Sequence, residues 1–138
     1  CEKDDTDTVF AVKEGMRRSF SEFLLLGAIG QRLDHTLGNV SILLMLDKAG
    51  RRGMIVDDYA EMSLVGPTPA YIDGSFSYFW VLYISGKAEG GTIEGSKYPL
   101  KDAAISCDYQ YGVSNEVLAG ERAAVSVADG RLLLIKVF

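Results

Sequence analysis

The segment Pro67-Thr68-Pro69 separates two stretches of chain written in different periodicities. Ahead of it, apolar residues recur at three- and four-residue steps between short continuous apolar runs. Beyond it only strand-like runs remain, punctuated by glycine. Two prolines one residue apart fix φ twice and remove two backbone donors, so neither a helix nor a central strand crosses them. Such a chain is expected to fold as α/β followed by all-β, with domains at 1–67 and 68–138.

Within the first stretch, Val9, Val12, Met16 and Phe20 form one apolar stripe and predict a helix from Thr8 to Ser19. The run EFLLLGAIG is apolar on both faces, as in a parallel strand covered by helices, and predicts a buried strand from Glu22 to Ala28. A second helical pattern runs from Asp34 to Lys48, with Gly50 as its stop. MIVDD and MSLVG add further short strands, and this order of elements is that of a parallel α/β layer. One buried strand and two short ones are too few for a doubly covered sheet of about five strands. The missing strands are expected ahead of Cys1.

After Pro69 the strand-like runs are SYFWVLYIS, GTIEG, AAISCDY, RAAVSV and RLLLIKVF. The dipeptide Asp129-Gly130 predicts a tight hairpin between the last two, and Gly86-Lys87-Ala88-Glu89-Gly90-Gly91 predicts another.

Charge narrows the function classes. A net charge of −5 and a pI near 4.8, with Arg17-Arg18 and Arg51-Arg52 as isolated basic pairs, exclude a nucleic acid or an anionic membrane surface as the expected partner. No apolar run is long enough to span a bilayer. Cys1 and Cys107 have no metal-ligand spacing and are too few for a disulfide scaffold, which fits a reducing compartment and predicts a cytoplasmic protein.

Neither a P-loop nor a dinucleotide fingerprint occurs. Three segments carry the remaining chemistry. In EKDDTDT, Asp4, Asp5 and Asp7 crowd around Thr6 ahead of a helix, where carboxylates either cap its N-terminus or hold a metal ion. GAIGQRLDHTLGN leaves a strand and enters a helix, the place where open α/β sheets bind ligands. There Arg32 suits a phosphate and Asp34 a metal, while the plainer reading makes Asp34 the N-cap and Arg32 a solvated side chain. His35 lacks a partner that spacing can specify and is left out of the mechanism. In YGVSNEV, Ser114 and Asn115 offer a hydroxyl beside an amide, suited to the edge of an aminopyrimidine or to a turn.

Taken together, EKDDTDT, GAIGQRLDHTLGN, GSKYPLKDA and GVSNE, in that order along nearly the entire chain, resemble the thiamine pyrophosphokinase family. The resemblance implies an α/β catalytic domain followed by a thiamine-binding β-sandwich, and a reaction that moves pyrophosphate from ATP to the hydroxyl of thiamine with release of AMP. It implies Asp7 and Asp34 as catalytic and metal-holding acids with Asp4 as a further metal candidate, Lys3 and Arg32 as ATP contacts, and Ser114, Asn115 and Tyr98 as thiamine contacts. Mg²⁺ is the expected ion, because it takes a few carboxylates together with phosphate oxygens. A homodimer with shared active sites is implied as well.

The family's upstream Gly-Asp-x-Asp-Ser motif has no counterpart here. The chain therefore reads as a C-terminal part, impaired in catalysis when alone, with a thiamine-binding or dimerising module as the alternative.

Overall fold

The computed structural model describes residues 5–106, 108 and 113–138. The chain forms two compact units, Cys1–Asp58 and Tyr59–Phe138. Among the described residues no helix is long and apolar enough to cross a membrane.

The first unit runs α1 (Asp7–Arg17), β1 (Glu22–Leu26), α2 (Leu33–Lys48) and β2 (Arg52–Val56). β1 and β2 pair in parallel, with Phe23 opposite Gly53 and Leu25 opposite Ile55, so the stretch from β1 through α2 to β2 is one crossover unit. Both helices lie on the face carrying those four residues. A Cβ on Gly15 of α1 would come 2.6 Å from the Phe23 ring, and one on Gly53 would come 2.6 Å from Leu46 Cδ1 of α2. Val12, Leu25, Ile42, Leu43, Leu46 and Ile55 are buried in that layer.

The expectation of a strand buried on both faces is corrected here. Leu24 and Leu26 point to the opposite face and are 61% and 71% exposed. A strand alternates its side chains, and within this unit both helices lie on one side only.

Each helix ends on the same backbone lock. After α1, Ser19 N–H donates to Met16 C=O (2.9 Å) and Phe20 N–H to Gly15 C=O (3.2 Å). After α2, Gly50 N–H donates to Asp47 C=O (2.9 Å) and Arg51 N–H to Leu46 C=O (2.8 Å). This pair of bonds requires a left-handed residue just past the helix, supplied by Ser19 (φ 67) and by Gly50 (φ 70), the stop expected from sequence.

The second unit contains β3 (Ala60–Val65), β4 (Ala70–Ile72), β5 (Tyr78–Glu94), β6 (Leu100–Ala103) and β7 (Ala123–Val137). β7 pairs antiparallel with β3, β4 and β5, and β5 pairs with β6. The strand expected from MSLVG therefore joins β7 antiparallel instead of extending a parallel layer. α/β followed by all-β is the order observed, with the all-β part of the β-sandwich class.

Both expected hairpins are also corrected. Gly86–Gly91 lies inside β5 and Asp129-Gly130 inside β7, because these two strands pair along almost their whole length. Tyr83 faces Leu132 and Ala88 faces Gly130, so four residues of β5 oppose Arg131 alone. Gly130 (φ 90) sits at the edge of this bulge and Gly90 (φ 70) in the paired stretch beyond it, and neither reverses the chain. The shift also changes which residues face inward: Ala123, Val125 and Val127 are buried before it and Leu132 and Leu134 after it, all in one core with Phe79, Val81, Ile93 and Ile105. β4 carries no sequence signal of its own and was not expected. The strand expected in AAISCDY stops at Ala103, and Cys107 and Tyr109 lie outside the described residues.

Candidate functional site

At the entrance to α1, the N-cap is Thr6, whose hydroxyl accepts from Val9 N–H at 3.3 Å. Asp5 forms an ion pair with Lys13 (2.5 Å). Asp7 is the first helical residue, exposed in the first turn, where a negative charge suits the helix dipole. None of the described aspartates caps the helix, so Asp7 keeps its carboxylate for other partners. Lys3 and Asp4 lie outside the described residues.

The loop from β1 to α2 is built around a left-handed Gly27 (φ 67). Asn39, nearly two turns into α2, donates from Nδ2 to Ala28 C=O at 2.8 Å. Thr36 Oγ1 accepts from Gly30 N–H and donates to Arg32 C=O, each at 3.3 Å. These two side chains were not singled out by sequence. The available signal was a pair of polar residues three apart in the first two turns of a helix whose middle, Val40 to Leu46, is largely apolar.

On this loop Arg32 grips Asp34 with both ends of its fork: Nη2 to Oδ2 at 2.5 Å and Nε to Oδ1 at 3.2 Å. The bonds from Arg32 hold the Asp34 carboxyl below the usual carboxylate range. The N-cap of α2 is Arg32 itself, whose side chain makes no capping bond. Asp34 is therefore not the N-cap of α2, while Arg32 is exposed, as the plainer reading has it.

In the second unit, two segments cross. Ser96 pairs with Val117, Lys97 N–H donates to Glu116 C=O (2.9 Å), and Leu118 N–H donates to Gly95 C=O (3.1 Å). Gly95 sits at φ 67, and a Cβ there would come 2.4 Å from Arg122 C=O, so the crossing requires glycine. Asn115 lies at the centre with no exposed surface. Its backbone exchanges bonds with Phe79 (2.8 and 2.9 Å), and its Oδ1 accepts from Tyr98 N–H and Glu116 N–H, both at 3.0 Å. Its Nδ2 donates to Tyr98 C=O at 2.8 Å.

Around this buried amide, Ser114 is exposed with φ 47 and Tyr98 is 53% exposed. Lys97 Nζ lies 5.7 Å from the centre of the Tyr98 ring and is paired with Glu116 at 3.0 Å. The Asn115 amide bonds to the backbone of Tyr98 and Glu116 and has no exposed surface. Ser114 and Tyr98 offer the accessible polar and aromatic surface beside it.

Among the described residues no three His, Cys, Asp or Glu side chains cluster as a preformed metal cage.

Comparison with known proteins gives two family matches in order along the chain. Residues 1–55 match the catalytic domain of thiamin pyrophosphokinase, and residues 74–132 match its vitamin B1 binding domain. The chain belongs to the thiamine pyrophosphokinase family. A thiamine pyrophosphokinase of Bacillus subtilis is 27% identical over 137 residues, covering 98% of this chain and 64% of that protein.

The crystal structure of thiamine pyrophosphokinase from Bacillus subtilis superposes with a TM-score of 0.89 at 26% identity, covering 98% of this chain and 64% of that one. That of the thiamin pyrophosphokinase from Geobacillus thermodenitrificans gives 0.84 at 31% identity, covering 100% and 64%. The chain thus spans just under two thirds of the length of these relatives. The thiamine pyrophosphokinase matches divide the candidate residues cleanly, with Asp7, Arg32 and Asp34 in the catalytic part and Tyr98, Ser114 and Asn115 in the vitamin-binding part.

Proposed function

We propose that this chain carries the thiamine site and part of the nucleotide site of an ATP:thiamine pyrophosphotransferase. The observation that carries this reading is the occurrence of both family domains, catalytic then vitamin-binding, in one chain. The first unit takes ATP and the second takes thiamine.

In the reaction, the hydroxyl oxygen of thiamine attacks the β-phosphorus of ATP, the bond from that phosphorus to its bridging oxygen breaks, and AMP leaves with the electron pair. The hydroxyl proton passes to a base on the enzyme. Asp7 and Asp34 would hold Mg²⁺, with Asp4 as a further donor, and the ion would supply charge neutralisation to the phosphates. Arg32 would present its guanidinium to phosphate beside Asp34, and Lys3 would add a second cation for ATP. Fixed charges of this kind supply most of the stabilisation in phosphoryl transfer. Tyr98 offers a ring face to thiamine, and Ser114 a hydroxyl to its aminopyrimidine edge.

The experiment is ³¹P NMR of ATP, Mg²⁺, thiamine and the full-length protein. AMP and thiamine diphosphate are expected to rise together, and Asp34→Asn is expected to abolish both with thermal unfolding nearly unchanged, since Asp34 is exposed and caps nothing. Formation of ADP in place of AMP would refute pyrophosphate transfer. Thiamine binding without any nucleotide turnover would favour the second reading, a thiamine-binding or dimerising module.

A further inference from the structure

We infer that Asn115 is a positioning residue that sets the Tyr98 ring for thiamine without touching the vitamin itself. The inference rests on the thiamine reading of the second unit and assigns Asn115 a different task from the neighbouring Ser114.

Three facts carry it. Asn115 has no exposed surface, so a ligand arriving from solvent meets Ser114 and Tyr98 and never its amide. Both backbone polar groups of Tyr98 are held by this one side chain, N–H by Oδ1 at 3.0 Å and C=O by Nδ2 at 2.8 Å. The same Oδ1 also accepts from Glu116 N–H, which places Tyr98 in register with the segment that carries Ser114. Tyr98 itself lies outside both neighbouring strands, β5 ending at Glu94 and β6 starting at Leu100, and one residue past the short antiparallel pairing of Ser96 with Val117 and of Lys97 N–H with Glu116 C=O, so at Tyr98 the Asn115 side chain takes over from backbone pairing. An amide presenting donor and acceptor together stands in for the missing strand partner.

Two substitutions separate this role from a direct contact. Asn115→Asp keeps both accepting bonds and removes the donation to Tyr98 C=O, while Asn115→Ser removes most of the grip. Each is combined with Tyr98→Ala, and thiamine and Mg-ATP affinities are measured by calorimetry beside the thermal midpoint. Losing a buried hydrogen bond that orients a contact costs about tenfold in affinity.

Asn115→Ser is therefore expected to weaken thiamine binding about tenfold, leave Mg-ATP binding unchanged, and cost less than about twofold once Tyr98 is already alanine. Equal losses in both backgrounds would show that Asn115 acts independently of Tyr98 and would overturn the inference while leaving the thiamine reading intact. Failure of both variants to fold would also overturn it, assigning Asn115 to stability alone. A wild-type protein that does not bind thiamine would remove the thiamine reading and this inference with it.

Discussion

Arg32 and Asp34 form a two-bond ion pair on an exposed loop, and that pair sets how the acid titrates. The Arg32 bonds favour the ionised form, so the folded-state pKa of Asp34 lies below its unfolded value. The pair's contribution to stability is present above the unfolded-state pKa and lost as pH falls through the folded one. It is small, since both side chains are exposed to water. Arg32→Gln is expected to move the Asp34 carboxyl midpoint up toward the usual carboxylate range, read by NMR of its side-chain carbon. A midpoint that does not move would mean that another group holds the charge.

The choice of Arg32 and Asp34 was legible because an acid and a guanidinium follow a strand directly. That they grip each other was not, since spacing alone does not tell whether two side chains two residues apart turn the same way. Asn115 shows the same limit. Its residue type marked it as polar and interesting, but only the crossing of two distant segments shows that its amide is buried and bonded to backbone.

At the scale of elements, the two helix ends differ in one residue. Gly50 adopts its left-handed conformation without strain, whereas Ser19 adopts the same conformation with a Cβ that opposes it. Ser19→Gly is expected to stabilise the protein by about 1 kcal/mol, measured as a higher midpoint in urea with unchanged slope. No change, or a loss, would mean that the Ser19 side chain offsets the strain.

The glycine at position 50 announced its helix end in the sequence, and the serine at position 19 could not. The β5 and β7 glycines mislead for the opposite reason. Asp129-Gly130 has the composition of a hairpin, yet the local preference for positive φ is satisfied equally by a bulge within a long paired strand. Which of the two forms depends on whether Leu132 to Val137 finds a partner in Tyr78 to Tyr83, a long-range fact that no short window contains.

For the molecule as a whole, the order α/β then all-β was readable because the hydrophobic period changes at the prolines. The assignment of β3 was not, since a short apolar run reads alike in parallel and antiparallel pairing.

One face of β5 bears on assembly: Phe79 and Val81 are buried, while Tyr78 is 41% exposed and Trp80 between them is half-buried. Aromatic residues on the outward face of a strand suit a surface covered by a second copy, as in the homodimer with shared sites that the family resemblance implies. Mixing inactive full-length Asp34→Asn protein with a full-length Tyr98→Ala/Ser114→Ala double variant that no longer binds thiamine is expected to restore part of the activity, because some sites would then combine intact halves. A mixture that stays inactive would confine each site to one chain.

The division of labour between the two units is the centre of the account, and separate calorimetric titrations with thiamine and with Mg-ATP test it most directly. Tyr98→Ala and Ser114→Ala are expected to weaken thiamine at least about tenfold and leave Mg-ATP unchanged, with Asp34→Asn doing the reverse. Loss of both ligands with every substitution, or thiamine affinity indifferent to Tyr98 and Ser114, would contradict it.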